Sequence, residues 1–279
     1  MQNSDTSFIE LSARERARRL LDEGSFRELL DPFEQITSPW LERQGIVPAF
    51  DDGMVVAKGT ISGKPAVVMA IEGVFQGGSM GEVSGAKMAA ALELAAEDNR
   101  NGIPTQAVLL FETGGVRLQE ANLGLAAIAD IHAAIADLRR YVPVVGISTG
   151  TVGCFGGMSI AAGLCSYLIV TREARLGLNG PQVIEQEAGI EEYNSRNRPF
   201  IWSMTGGEVR YNNGFADAYV EDSVNQVKQA MNDCLKQGVP NQFRSDQYDY
   251  YLTKLNTVDT RKQVEAADVT ALLGRGDRK

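Results

Sequence analysis

The sequence predicts an α/β fold, a spiral of stacked ββα units with peripheral helices, from a pattern that occurs three times. Each time an apolar run typical of a buried strand leads into a pair of glycines and then into a helical pattern. The pairs end at Gly78, Gly115 and Gly157, so 37 and then 42 residues separate successive turns. A period of this size indicates a repeated supersecondary unit. A dinucleotide-binding sheet is the competing interpretation, but no G-x-G-x-x-G follows the first strand and no P-loop is present.

Hydrophobic periodicity places the other elements. Short apolar or β-branched runs indicate strands, and apolar residues at helical spacing indicate helices. In the first long helix the spacing predicts that Val83, Ala86, Ala90 and Leu94 form one apolar face. The predicted strands cover residues 54–60, 65–71, 107–111, 144–148, 167–171 and 175–178, and the main predicted helices cover residues 12–24, 82–99, 119–140, 158–165, 224–237 and 261–273.

We expect a single domain across residues 1–279. Residues 1–50 begin with a capped helix and continue through three prolines, which predicts a helical N-terminal extension wrapped on the main body or on a partner. Residues 240–279 follow Gly238 and carry a last helical pattern, which predicts a C-terminal helical extension.

Composition excludes several classes of protein. The net charge of −9 argues against non-specific binding to nucleic acid. No apolar run approaches the roughly 18 residues of a membrane span, and the N-terminal residues lack the pattern of a secretion signal, so a cytoplasmic location is expected. The cysteines, Cys154, Cys165 and Cys234, form no C-x-x-C pair. With one histidine in addition, the sequence predicts no metal site.

The glycine turns offer chemistry that the side chains lack. His132, the only histidine, is expected to pack within its helix or lie on the helix surface, and Cys154 is expected to line a pocket with no base to activate it. A strand that turns through glycines into a helix presents unpaired N–H groups at the positive end of the helix dipole. Such donors stabilise a developing oxyanion, as in the formation of an enolate from a thioester. The alternative is an ordinary tight turn.

Three motifs in order resemble a known family. Residues 76–81 read QGGSMG, residues 112–120 read ETGGVRLQE, and residues 179–186 read NGPQVIEQ. Together they resemble the carboxyltransferase β subunits of bacterial acetyl-CoA carboxylases, members of the crotonase superfamily, over about residues 73–186. The resemblance implies a crotonase-like spiral.

The departures from that family point to a related group. The chain has no four-cysteine zinc ribbon, its second glycine motif continues as MSIA at residues 158–161, and Asn179 stands where the family has alanine. In these features it is similar to the β subunits of biotin-independent malonate decarboxylases. That likeness implies a carboxy-lyase that converts a malonyl thioester on an acyl carrier protein into the acetyl thioester and CO2.

The same likeness implies partners and a site. The partners are a homologous γ subunit at the active-site interface, the acyl carrier protein, and the transferase subunit that serves this carrier. No cofactor is expected to bind directly, because the carrier delivers a CoA-like prosthetic-group thiol. The predicted oxyanion donors are Gly114, Gly115, Gly156 and Gly157, and the predicted substrate-binding residues are Gly78, Ser79, Met80, Arg117, Asn179 and Gly180.

Other interpretations stay open. A subunit of a biotin-dependent acyl-CoA carboxylase would share the motifs and accept its carboxyl group from biotin. A stand-alone hydratase or isomerase would need a carboxylate in the pocket, for which Glu112 and Glu120 are available. A non-catalytic scaffold would use the glycine turns for structure alone. For Arg117, an ion pair with Glu120 is the alternative to an anion contact.

Overall fold

The order of the strands along the chain is also their order in space. The computed structural model describes residues 6–150, 152–259, 261–262 and 264–274. Its seven strands form one sheet in the order β1 to β7. They are β1 (Arg27–Leu29), β2 (Met54–Ile61), β3 (Lys64–Ile71), β4 (Gln106–Phe111), β5 (Val144–Ser148), β6 (Tyr167–Thr171) and β7 (Ala218–Val220).

Pairing in the sheet changes from antiparallel to parallel at β3. The strands β2 and β3 form the predicted hairpin, and β1 pairs antiparallel with β2. From β3 to β7 each strand runs parallel to the previous one and is reached through a helical crossover. Because parallel strands end at the same edge of a sheet, the segments that follow β3, β4 and β5 meet beside one another.

Helices cover both faces of the sheet. On one face α3, α4 and α5 pack against residues such as Leu109, and on the other α1 and α9 pack against residues such as Val108 and Leu110. This alternation follows from the two-residue period of a strand. The helices are α1 (Ala13–Leu20), α2 (Pro39–Arg43), α3 (Glu82–Arg100), α4 (Asn122–Leu138), α5 (Gly157–Leu164), α6 (Pro181–Ala188), α7 (Arg198–Thr205), α8 (Gly207–Asn212), α9 (Val224–Gln237), α10 (Tyr248–Leu255) and α11 (Ala266–Leu273).

A second, minimal set of pairings completes the repeat. Single-residue parallel bridges join the segments that follow consecutive strands: Met80 with Val116, Thr113 with Cys154, and Cys154 with Leu176. Each unit is therefore a long strand, a very short second strand and a helix, which confirms the predicted spiral of ββα units. The predicted strand at residues 175–178 was too long, because its partners on the two sides are single residues.

The buried face of α3 differs from the predicted one. Ser84, Met88 and Leu92 are buried, whereas Leu94 is 60% exposed, so the predicted apolar face was wrong. The charged residue Lys87 lies on the buried face of α3, so the apolar pattern of that face is interrupted in the sequence. Its stem is buried on the core side, and its Nζ donates to the carbonyl oxygens of Leu30 at 2.9 Å and Met54 at 2.7 Å.

The two ends of the chain contribute unequally to the sheet. Within the first 50 residues, β1 joins the sheet and α1 covers it. In the C-terminal part, residues 275–279 of the predicted extension lie outside the described residues.

No helix in the described part of the chain is both long and apolar enough to cross a membrane.

Candidate active site

The glycine turn at residues 114–115, hereafter the first turn, leaves β4 at Phe111 and leads into a short 3-10 helix, Leu118–Glu120, before α4 begins. Gly115 has φ of 110°, which only glycine adopts without strain. Two amides of this turn are already used. Gly114 donates to the carbonyl oxygen of Gly77 at 2.9 Å, and Gly115 donates to Oγ1 of Thr113 at 3.0 Å.

The glycine turn at residues 156–157, hereafter the second turn, follows β5 and leads into α5. Gly156 has φ of 60°, and its N–H donates to the carbonyl oxygen of Leu178 at 2.7 Å. Gly157 is the first residue of α5, so its N–H has no partner within the helix. Among the described residues nothing else accepts a hydrogen bond from it.

The two turns touch backbone to backbone. A Cβ on Gly156 would stand 3.1 Å from Cα of Gly115 and 3.8 Å from the nitrogen of Val116, and a Cβ on Gly115 would stand 3.3 Å from Cα of Gly156. The N–H of Val116 also lacks an acceptor in the described part of the chain. Two free amides, those of Val116 and Gly157, therefore flank one contact that only glycines allow.

This geometry revises the predicted donors. The structure brings all four glycines together, but the amides of Gly114, Gly115 and Gly156 are occupied by other protein groups. Of the four, only Gly157 offers a free N–H. The second free donor, Val116, could not be predicted from the sequence, because the residue type does not show whether a backbone amide has an acceptor.

The segment of Gly78, Ser79 and Met80 supports the first turn from outside. The amide of Met80 donates to the carbonyl oxygen of Gly115, and the amide of Arg117 donates to the carbonyl oxygen of Met80, both at 2.8 Å. The Met80 side chain is fully buried in the core. Met80 thus holds the turn through its backbone, and Gly78 packs against the carbonyl group of Glu112. Only Ser79, which is half-buried, has a side chain near the surface of this segment.

We expect Gly78→Ala to destabilise the protein strongly. Gly78 has φ of +64°, and a Cβ there would stand 1.8 Å from the carbonyl oxygen of Glu112. Gly77→Ala is a matched control, because Gly77 has φ of +63° but open space around its Cβ position. In urea unfolding we expect a loss of about 1 kcal/mol for Gly77→Ala and of about 4 kcal/mol or more for Gly78→Ala. Equal losses would contradict the close packing at Glu112.

Arg117 is a buried structural residue, not a substrate ligand. Its side chain is 1% exposed, and its guanidinium donates to Oδ1 of Asp52 at 2.8 Å, Oε2 of Glu120 at 3.3 Å and the carbonyl oxygen of Ser79 at 2.6 Å. Its Nε donates to Oγ of Ser79 at 3.1 Å, and the group stacks 5.0 Å from the ring centre of Phe75. The pairing with Glu120 is present, so Arg117 is removed from the candidate substrate-binding residues.

The carboxyl group beside Arg117 gives stability a pH dependence. Burial raises the pKa of Asp52 from 3.8 to about 6, against the opposing effect of the Arg117 charge. The folded protein therefore retains a proton that the unfolded chain releases between about pH 4 and 6, and the free energy of unfolding falls as pH rises through this window. In the wild type this fall in the free energy of unfolding is expected to be on the order of 3 kcal/mol. In Asp52→Asn it is expected to be absent. Urea unfolding of both proteins from pH 4 to 7 measures it; a constant difference between them would exclude this origin.

Asn179 and Gly180 lie beside the second turn. They follow Leu178, whose carbonyl oxygen accepts from Gly156. Asn179 is exposed, and Gly180 is the N-cap of α6. A cavity of about 440 Å³ lies along α5 and reaches Leu178, the residue before Asn179; its walls are mainly apolar and include the side chains of Arg210 and Arg244. It shares Leu178 and Ser159 with the surroundings of the second turn.

The carboxylates that a hydratase or isomerase would need are held in internal ion pairs. Glu112 is 5% exposed, accepts from Arg16 at 2.8 Å and accepts from the amide of Val152 at 2.8 Å. Glu120 is 3% exposed and pairs with Arg117. Neither side chain is placed as a pocket acid or base.

The thiol and the imidazole also have protein surroundings. Cys154 is fully buried, and burial raises the pKa of its thiol well above the ordinary value, so it does not act as a thiolate nucleophile. His132 contacts the carbonyl oxygen of Gly157 through Nε2 at 2.7 Å, a long-range contact that helical spacing alone could not reveal. The described residues hold no group of three or more potential metal ligands.

What the site offers is a pair of free backbone donors, one of which, the amide of Gly157, is at the start of α5. Unsatisfied N–H groups at the N-terminus of a helix attract negative charge. Donors fixed in place before the reaction stabilise an oxyanion that forms between them. The geometry therefore suits chemistry at a carbonyl carbon that passes through an enolate or a related anion.

Comparison with known proteins identifies the class. Residues 10–272 match the carboxyl transferase domain, and the chain belongs to this family. It is 41% identical over 235 residues to the malonyl-S-ACP:biotin-protein carboxyltransferase MADC of Malonomonas rubra, covering 81% of this chain and 74% of that protein.

Solved structures give a more particular likeness. The chain superposes with a TM-score of 0.94 and 67% identity on a chain of the Pseudomonas malonate decarboxylase hetero-tetramer in complex with malonate, covering 96% of this chain and 98% of that one. For the Pseudomonas MdcD–MdcE hetero-dimer the TM-score is 0.77 at 60% identity, covering 90% and 96% of the two chains. Transcarboxylase 12S, with methylmalonyl-coenzyme A and methylmalonic acid bound, gives 0.69 at 27% identity, covering 80% and 41%.

Proposed function

We propose that this chain is a subunit of a malonate decarboxylase, a carboxy-lyase that acts on a malonyl thioester carried by an acyl carrier protein. One observation carries the proposal: 67% identity over nearly the full length of both chains to a subunit of the Pseudomonas enzyme. The carrier-bound substrate is supported by the name of the Malonomonas relative, which acts on malonyl-S-ACP.

In the proposed mechanism the bond between the methylene carbon and the carboxylate breaks. Its electron pair moves toward the thioester carbonyl, CO2 leaves, and an enolate remains. The enolate oxygen accepts hydrogen bonds from the amides of Val116 and Gly157, which have no other described acceptor. A proton then adds to the carbon and gives the acetyl thioester. The substrate and product differ by CO2 exchanged for H⁺, so no oxidant or reductant is needed.

The thioester arm is proposed to reach the two donors past Ser79, Asn179 and Gly180. Asn179 is exposed beside the second turn, and the preceding residue, Leu178, lines the cavity along α5. In this proposal the chain binds no cofactor of its own, and the carrier delivers the substrate on its CoA-like prosthetic-group thiol.

A second subunit is proposed to complete the site. The structural relatives are a hetero-tetramer and a hetero-dimer. In this chain Glu112, Glu120 and Cys154 are buried among protein partners, so none of them is placed to protonate the enolate. We therefore propose a homologous γ subunit at the active-site interface, with the acyl carrier protein and its transferase subunit as further partners.

The test is release of CO2 from a malonyl-loaded carrier protein by the chain together with its copurified partner. Turnover without biotin, unaffected by avidin, is the expected result. The alternative is a biotin-dependent carboxyltransferase, which the name of the Malonomonas relative favours because it includes a biotin protein as acceptor. Activity that requires a biotinylated protein and is blocked by avidin would select that alternative.

A further inference from the structure

We propose that His132 is a positioning residue whose Nε2 holds the carbonyl group of Gly157. The face of α4 that carries His132 thereby sets the spacing of the two oxyanion donors. This inference rests on the proposed function for its kinetic test. The role it assigns is to a side chain that does not touch the substrate.

The contact of His132 with Gly157 defines the state of the ring. Nε2 lies 2.7 Å from the carbonyl oxygen of Gly157. A carbonyl oxygen only accepts hydrogen bonds, so Nε2 carries the hydrogen. Because Nε2 carries a hydrogen in the protonated ring as well, the bond is present in both charge states.

A second contact holds the same residue. A Cβ on Gly157 would stand 2.8 Å from Cγ2 of Ile128, one helical turn before His132 on α4. Ile128 therefore presses on Gly157 from the side where a side chain would be, and His132 holds its carbonyl group. Two side chains of one helix thus restrict the backbone whose N–H is the proposed donor.

The same face of α4 also holds the other donor. A Cβ on Gly124 would stand 2.9 Å from Cγ2 of Val116 and 2.7 Å from the carbonyl oxygen of Met80. Gly124, Ile128 and His132 are spaced four residues apart and so lie along one stripe of the helix. One rigid element contacts both Val116 and Gly157, so it fixes the distance between their amides.

The test compares His132→Gln with His132→Asn in the complete enzyme. The amide nitrogen of glutamine reaches the position of Nε2, whereas that of asparagine corresponds to Nδ1 and falls short of Gly157. We expect His132→Asn to lower kcat about 10- to 100-fold at nearly unchanged KM. Glutamine should restore kcat to within a few-fold of the wild type. The ratio of wild-type to His132→Gln rates should be constant across pH.

Three results would overturn the proposal. They are a wild-type kcat for His132→Asn, equal losses in both variants, and a ratio of rates that changes with pH, which would make His132 an acid or base in the reaction. If the wild-type enzyme does not decarboxylate the substrate, the proposed function fails instead. Hydrogen exchange then decides the positioning role. The protected amides of α5 should exchange about tenfold faster in His132→Asn but not in His132→Gln, beginning with Ala161, whose acceptor in the helix is the Gly157 carbonyl group. Equal rates in all three proteins would refute the positioning role.

Discussion

Replacing Gly157 by proline is expected to lower the rate of decarboxylation about 100- to 1000-fold, which corresponds to about 3 kcal/mol of lost transition-state stabilisation. Proline removes the free N–H that we assign to the enolate oxygen. The first position of a helix accepts proline well, because its N–H has no helical partner and its φ is already suitable. Gly157 holds this position in α5. Single-turnover release of CO2 from the malonyl carrier protein measures the effect.

Gly157→Ala is the matched control for this substitution. Alanine places a Cβ against the same Cγ2 atom of Ile128, 2.8 Å away, but keeps the N–H. Any cost of displacing Ile128 is therefore common to the two variants, and the difference between them reports the donor. If proline and alanine give the same rate, and both variants melt like the wild type, Gly157 is not an oxyanion donor.

Replacing Arg117 by methionine is expected to cost about 3–5 kcal/mol of stability, because it leaves buried carboxylates without their cation. Asp52 and Glu120 both pair with this guanidinium, and all three side chains are 1% exposed or less. Lowering the pH should recover part of the loss, since burial already raises the pKa of Asp52 to about 6. Urea unfolding at pH 5 and pH 8 measures both effects.

Arg14 supplies the comparison for this variant. It also pairs with two carboxylates, those of Glu28 and Asp51, but its side chain is 34% exposed. Arg14→Met is therefore expected to cost only about 1 kcal/mol. The structural role would be refuted if Arg117→Met kept wild-type stability and instead raised KM for the thioester, because that pattern belongs to a substrate contact.

The repeated unit could be predicted from the sequence because its signals are local. A strand, a glycine pair and a helix are adjacent in the chain, and glycine marks the turn wherever the backbone needs positive φ or close approach. Gly115 and Gly156 satisfy both conditions. The face of α3 could not be predicted in the same way, because Lys87 lies on the core side and binds the carbonyl groups of Leu30 and Met54.

Which amides are free could not be predicted, because it depends on partners far away in the sequence. Gly114 is occupied by the carbonyl group of Gly77, and Gly156 by that of Leu178. Arg117 posed the same difficulty. A charged residue in a glycine-rich turn suggests an anion contact, but Asp52 fills that role from 65 positions earlier in the chain.

The strand order also bears on how the protein forms during synthesis. Because β1 to β7 pair in the order in which they are translated, each strand can join an edge that already exists. The face of the sheet that α1 covers is an exception, because its core also includes residues of α9, which is synthesised much later. Lys228 of α9 donates to the carbonyl oxygens of Arg19 and Leu21, and Asp222 binds the amide of Phe8. The N-terminal segment therefore gains its last contacts only after more than 220 residues have been synthesised.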